Sequence, residues 1–398
     1  MAENTGMKFK KFRLKNKQRS KKQSKPVKVI LIVAVALGSV YFVLAYASKP
    51  QICVVDQGDV VCVDDNLQIV KRHEFPSVNR AAKAISAAPN RGFFIVDPDT
   101  QLRDDPLDLY DKDMNYVGTL NLPVARYDMQ KIQWSSDGSK AYILSDIGVL
   151  HELDVATKQA RQLTEDRGKM KRNEDFRQNR RGFIVDYYLL DNTRIVLTTQ
   201  NTNTLKDSSD GLSGPFNDTR LFVMNVDGSQ IRRLGSSNRI VHMQPATKNS
   251  VLFSVNPNAV CEWGDECKQL YSVDVNEGKE LIVADKNLEF RNFTYDKKTK
   301  TLFLTRGPGG NVFEVYYGKL KNFSGHARKI KLAQGSNDAT QGDRSLIPLD
   351  RASLAIVTGY DGSGSIDKFD LKSGQRVASI DNPALKFEGV ESIVQNWK

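Results

Sequence analysis

Histidine and cysteine are scarce in this chain, and so is surplus charge outside one short tail. Only four histidines occur in 398 residues (His73, His151, His242 and His326), and none stands in a ligand-like spacing with the four cysteines. That argues against a zinc site, which needs such donors grouped. No Gly-x-Ser-x-Gly elbow occurs, which removes the nucleophile of the α/β-hydrolases. Beyond residue 50 there is no long stretch of helical periodicity, so a helical bundle is excluded. Long apolar runs are missing too, with a single exception near the N-terminus.

The formal charge of +11 first suggests nucleic-acid binding. Its location removes that reading. Residues 1–28 hold eleven Lys or Arg against one acid, Glu3, which leaves the rest of the chain near +1. A neutral large domain lacks the basic footprint that nucleic acid requires, so none is expected as a partner. The basic tail precedes nineteen uncharged residues, Val29 to Ala47. At about 1.5 Å per residue these cross the ~30 Å hydrocarbon core as one helix. Dense Lys/Arg on the N-terminal flank keeps the tail (1–28) cytoplasmic. The segment 29–47 is therefore expected as a single-pass signal anchor in the cytoplasmic (inner) membrane, with 50–398 periplasmic or extracellular. Ala45-Tyr46-Ala47 also fits a small-residue cleavage site, so a cleaved signal peptide is the rival reading. The lengths of the apolar run and of the basic region favour the anchor.

Cysteine placement agrees with export. In ICVVDQGDVVCVD, a two-residue turn at Gln57-Gly58 pairs Asp56 with Asp59 and, counting back, sets Cys53 opposite Cys62. Opposed hairpin cysteines come within disulfide reach. Cys261 and Cys267 close a second small loop, CEWGDEC. Two local pairs suit an oxidising compartment.

From residue 50 onward, short β-rich runs alternate with Gly, Asn, Asp and Pro. One series is strongly apolar: ICVVD, GFFIVD, AYILSD, RIVLTTQ, VLFSV, TLFLTR and LAIVTG, about 40 to 55 residues apart. That is the period of a propeller blade. Six complete units are expected, near 77–122, 125–164, 180–235, 238–284, 288–332 and 340–381. Three strands remain at 52–74 and one in GVESIVQNW (389–397). Three plus one make a seventh blade, closing the ring with strands from both chain ends and removing sheet edges. The predicted fold is thus an all-β, seven-bladed propeller; six or eight blades are the neighbouring counts.

WSSDGSKAYILSD (134–146) with LDVATKQARQLT (153–164), and LFVMNVDGSQIRRL (221–234), resemble the WD-repeat-like blades of TolB-type propellers. The turn chemistry is sensible in itself, since Asp-Gly supplies the positive φ of a tight hairpin. The resemblance implies a protein-interaction platform of the cell envelope. It stops at the fold, because the chain has no room for the α/β domain of TolB, so TolB's own partners are not carried over. An enzymatic alternative is a metal-dependent hydrolase or lactonase-type site in the central channel.

The strand order divides the connections between two faces. WSSDGSK, VATKQ, VDGSQ, VNEGK and LKSGQ are short and share one face. The long loops share the other, which is the expected binding face for an envelope protein or an anionic polymer. Its candidate residues are the basic inter-blade run Arg167, Lys169, Lys171, Arg172, Arg177, Arg180 and Arg181, and Trp263 inside the cysteine-closed loop. Guanidinium and ammonium groups grip acidic partners through charge-assisted hydrogen bonds, although a solvated linker explains the same run. The Asp-rich stretch 97–113 offers Asp97, Asp99, Asp104 and Asp105 as calcium ligands. Its spacing matches no EF-hand, and turn aspartates explain it more simply. No other cofactor is expected. Because only Ser48, Lys49 and Pro50 separate the apolar segment from the first strand, the short-loop face is expected toward the membrane.

Overall fold

In the computed structural model the described residues are 52–381 and Val394–Gln395, apart from 57–58, 65, 75–81, 90–91, 99–105, 114, 121, 123–131, 146–147, 165–182, 201–218, 257–267, 285–287, 289, 291, 307–313, 333–343, 350–351 and 361–362. The chain divides into two units, 1–47 and 48–398, of which the second is described below. The expected membrane segment 29–47, the tail and the Ser48–Pro50 tether lie outside the described residues. Among those described, no helix is long and apolar enough to cross a membrane.

Apolar runs with turn residues on both sides become the strands. The chain opens with β1 (Ile52–Asp56), β2 (Asp59–Val63) and β3 (Ile69–His73). Six four-stranded sheets follow. Blade 1 comprises β4 (Ala82–Ala87), β5 (Phe93–Pro98), β6 (Asp108–Asp111) and β7 (Tyr116–Thr119). Blade 2 comprises β8 (Gln133–Trp134), β9 (Lys140–Leu144), β10 (Leu150–Asp154) and β11 (Gln159–Gln162). Blade 3 holds β12 (Phe183–Leu189), β13 (Arg194–Gln200), β14 (Thr219–Asn225) and β15 (Arg232–Leu234). Blade 4 holds β16 (Ile240–Thr247), β17 (Ser250–Val255), β18 (Gln269–Asp274) and β19 (Glu280–Ile282). Blade 5 is built from β20 (Asn292–Asp296), β21 (Thr301–Arg306), β22 (Glu314–Lys319) and β23 (Arg328–Lys331). Blade 6 is built from β24 (Arg344–Pro348), β25 (Ser353–Tyr360), β26 (Ser363–Asp370) and β27 (Arg376–Asp381). The last strand, β28 (Val394–Gln395), pairs with β1 and completes a seventh sheet in the order β28-β1-β2-β3. Both chain ends therefore share one blade, as the strand count predicts.

The seven apolar runs are all the second strand of a blade. The reason is burial on both faces: alternate residues of β17 enter different cores, with Val251, Phe253 and Val255 on the blade 3 side and Leu252 on the blade 5 side. Six apolar clusters lie between successive blades, from the blade 1–2 contact through to that of blade 6 with the closing blade. β4 touches β28, β1 and β2, which joins blade 1 to the closing blade. The core is thus a set of layers between blades rather than one central mass. First strands of successive blades touch at β28·β4, β8·β12, β12·β16, β16·β20 and β20·β24, which puts them around the axis.

The first hairpin has the predicted register, with Cys53 opposite Cys62, Val54 opposite Val61 and Asp56 opposite Asp59. Cys62 is buried and disulfide-bonded. Cys261 and Cys267 lie outside the described residues.

One local feature was not anticipated. Between β22 and β23 the chain forms a 3₁₀ turn at Leu320–Asn322 and a four-residue helix, α1 (Phe323–His326). Five of the other six blades have an aspartate at or one residue beyond the end of the third strand, and the sixth has one inside the turn (Asp227). EVYYGKLKN has none, and Phe323 instead plugs the blade 4–5 core. A single helical turn is too short to leave a periodicity in sequence.

Candidate functional site

The two ends of the ring differ in how their connections are built. At one end lie the turns joining strands one to two and three to four. Their aspartates are consumed by the turns themselves. Asp64 Oδ1 accepts the amides of Asn66 and Gln68, both at 2.9 Å. Asp111 accepts those of Asp113 (2.8 Å) and Asn115 (2.9 Å). Asp154 accepts Thr157 N–H (2.9 Å), Asp227 accepts Ser229 N–H (2.8 Å), and Asp274 accepts Asn276 N–H (2.8 Å). Asp370 accepts Lys372 and Ser373 N–H at 2.8 and 2.7 Å. This is the Asx-turn device, repeated blade after blade. Donation by the Ser135 hydroxyl, then by the Ser139 amide and hydroxyl, holds the Asp137 carboxyl down at about 2. At Asp191, burial pushes upward, but hydrogen bonds from Arg194 and Thr193 outweigh it and the group falls to about 2.

The same end is locked from blade to blade. Arg194 of blade 3 donates to Asp191 beside it, and to Lys248 O (2.7 Å) and Asn249 Oδ1 (3.3 Å) of blade 4. Glu280 Oε1 accepts the amides of Ser236 and Ser237, both at 2.9 Å. Gly228 and Gly374 each press their α-carbon against a neighbouring blade. A Cβ there would stand 2.4 Å from Leu163 O and 2.2 Å from Lys331 O respectively. Among the described residues, the turn aspartates at this end are held by their own turns, and the turns of successive blades interlock.

The opposite end is reached by following β13 from Arg194 to Gln200, where Gln200 stands opposite Thr219. Equivalent strand ends are Val255 opposite Gln269 and Arg306 opposite Glu314. These pairs are the roots of the long loops 201–218, 257–267 and 307–313. The candidate binding residues Arg167, Lys169, Lys171, Arg172, Arg177, Arg180, Arg181 and Trp263 all lie outside the described residues, as do Asp99, Asp104 and Asp105. Asp97 falls in β5. The rest of that acidic stretch has structural work: Asp108 is buried and accepts from Thr119 Oγ1 (2.8 Å), Asp111 caps its turn, and Asp113 is exposed beside Lys112. Among the described residues no group of three or more His, Cys, Asp or Glu is placed to hold a metal.

Two features escaped the sequence reading. Around the axis, first strands are stitched by side chains: Trp134 Nε1 donates to Ser86 Oγ (2.9 Å), Gln133 N–H to Tyr187 Oη (3.1 Å), and Gln244 pairs with the Tyr295 backbone. On the third strands, buried or half-buried acids face partners on the neighbouring second and fourth strands. Glu152 accepts from Arg161 (3.2 Å), Lys140 (3.0 Å) and Tyr142 Oη (3.2 Å). Asp367 is met by Ser379 (2.6 Å) and Arg376 (3.3 Å), and Glu314 by Lys329 (2.7 Å). An acid within the third strands β6, β10, β22 and β26 was a visible signal, but its partner is set by register. Each of these carboxylates is held by partners on neighbouring strands of its own blade.

No protein-family model and no characterised protein matches the chain in sequence. Among solved structures it is similar to the β-propeller domain of Cps50 (Swd1) from Myceliophteria thermophila, with TM-score 0.49 and 8% identity over 78% of this chain and 89% of that one. It is also similar to the C-terminal WD40 domain of Sif2 (TM-score 0.48, 12% identity, 84% and 87% covered). A third is Kuenenia stuttgartiensis hydrazine synthase (TM-score 0.47, 11% identity, 75% and 79% covered). The fold assignment rests on sheet order, register and the inter-blade cores: the second unit of this chain is a seven-bladed β-propeller.

Proposed function

We propose that the protein is a membrane-tethered, non-enzymatic binding or scaffold propeller of the cell envelope, presenting its long-loop face to a protein or anionic polymer. The observation that carries this reading is the segregation of connections between the two ends of the ring. One end is closed by self-capped turns and inter-blade locks. The other carries the long loops 201–218, 257–267 and 307–313, rooted on rigid strand ends, which is how binding surfaces are generally built. The basic run 167–181 supplies charge for an acidic partner, and Trp263 supplies an aromatic anchor. The apolar segment 29–47 is the tether, and the hairpin pairing Cys53–Cys62 with the loop pairing Cys261–Cys267 suits an oxidising compartment.

The test is affinity purification of the full chain from solubilised envelopes, comparing wild type with a variant whose seven basic residues between 167 and 181 are changed to Glu. The variant is expected to lose a partner that wild type retains, and identical recoveries would overturn the assignment of that face. Fractionation of the full chain is expected to leave it in the membrane pellet after high salt. Metal-stimulated ester hydrolysis by the purified chain would overturn the non-enzymatic part.

A further inference from the structure

At the rim of the ring, β19 and α1 border a cleft of about 430 Å³ between blades 4 and 5. It is lined by Ser272, Leu281, Ile282 and Val283 on one side, and by Leu320 to His326 on the other. Its origin is the helical turn of blade 5, which stands where the other blades place a tight Asx turn. Phe323 is buried at its base, while Leu281 and Ile282 are 58% and 46% exposed. Large apolar side chains that exposed, side by side on an outermost strand, mark a surface built for contact.

The backbone adds a second element. Val283 N–H donates to Leu270 O on the inner side, and strand amides alternate in direction. The Ile282 amide and carbonyl therefore point outward, away from β18. Among the described residues no strand pairs with that edge of β19. Charge supplies the third element. Among the described residues, Lys321 and His326 are the charged or titratable groups lining the cleft, and no carboxylate lines it. The carboxylate of neighbouring Glu280 is held by the Ser236 and Ser237 amides. Beyond α1, Arg328 and Lys331 on β23 are exposed.

We infer that this cleft is a second docking site, which takes a short extended peptide of a partner protein with alternating apolar and acidic residues. The peptide adds to the free edge of β19 through the Ile282 backbone. One apolar side chain enters over Leu281, Val283 and Phe323, and a carboxylate meets Lys321. This is the strand-addition mode, in which main-chain bonds give affinity and pockets select side chains. Size decides against a second copy of the chain: a stable dimer buries roughly 1,200–2,000 Å², far more than a three-residue strand and one cleft provide.

The test is fluorescence anisotropy of the full detergent-solubilised chain with a labelled heptapeptide, Asp-Val-Asp-Leu-Glu-Val-Asp. Wild type is expected to bind it at least tenfold more tightly than the same peptide with Lys at every acidic position. N-methylation of alternate backbone amides is expected to abolish binding. Leu281→Glu and Lys321→Glu are each expected to weaken it at least fivefold, with Lys321→Arg close to wild type. Both targets are exposed, so unchanged melting midpoints certify the fold. Equal affinity for the acidic and the Lys peptide, or indifference to both variants, overturns the proposal. So does Leu281-dependent dimerisation in sedimentation, which would make the occupant a second copy. The seven-residue basic-to-Glu variant is expected to bind the peptide as wild type does, so failure here is separate from failure of the long-loop face.

Discussion

The carboxamide of Gln244 in β16 accepts the backbone N–H of Tyr295 in β20 at 2.8 Å and donates back to its carbonyl at 3.0 Å. One side chain thereby satisfies both backbone groups of a residue 51 positions away, across the blade 4–5 boundary at the axis. Truncation leaves two part-buried polar groups unpaired, and each such orphan costs about 1–3 kcal/mol. Gln244→Leu is expected to lower unfolding free energy by about 2–4 kcal/mol in chemical denaturation. Gln244→Glu, which still accepts but cannot donate when ionised, is expected to fall in between. No loss in the Leu variant would refute the stitching role.

Gly374 and Gly278 make an internal control for inter-blade packing. Both have positive φ, +73° and +71°, so alanine at either carries the left-handed penalty of about 1–2 kcal/mol. At Gly374 the added Cβ would collide with a neighbouring blade, 2.2 Å from Lys331 O, whereas at Gly278 the nearest atom, Gly235 N, is at an ordinary contact distance of 3.7 Å. Gly374→Ala is therefore expected to destabilise by about 2 kcal/mol more than Gly278→Ala. Equal melting midpoints would show that blades 5 and 6 do not meet there.

Stability is expected to depend on pH through His242. Burial, assisted by Lys268, depresses its imidazole from 6.5 to about 4, and its ring lies 4.8 Å from that of Phe293. With the folded value below the unfolded one, the unfolded chain binds more protons between pH 4 and 6.5. Stability from this group is thus complete above about pH 6.5 and lost as pH falls toward 4, amounting to on the order of 2–3 kcal/mol. His242→Gln should flatten that part of the stability profile; an unchanged slope would assign the dependence to other groups.

Cys62 supplies a redox prediction. Its hairpin partner in register is Cys53. Cys53→Ser is expected to release one thiol that titrates in denaturant, and to cost about 2–3 kcal/mol for a loop this short. If the variant shows no new thiol, Cys62 is bonded elsewhere.

Much of the architecture was legible because second strands are buried on both faces. Lys140 to Leu144, Ser250 to Val255 and Thr301 to Arg306 read as apolar runs for that reason, and the spacing of such runs gave the blade number. The register of Cys53 on Cys62 was equally local, counted outward from a two-residue turn. First strands were less visible, since β8 has only Gln133 and Trp134 and hides its role in two inter-blade hydrogen bonds. The helical turn at Leu320–His326 was invisible, although the missing aspartate after β22 was a signal in hindsight. The basic run at 167–181 and Trp263 remain readings of sequence.

What the sequence determined alone was periodicity: seven β units, Asp-capped turns at one end, and the uneven distribution of charge between tail and domain. These follow from interactions within ten or so residues, where chain connectivity itself limits the possible partners. What only the tertiary structure decided was which groups meet across blades: Gln244 with Tyr295, Glu280 with the Ser236 and Ser237 amides, and Leu281 facing α1. Those contacts depend on the angle at which one blade is set against the next, and side-chain packing in the layer between them fixes that angle.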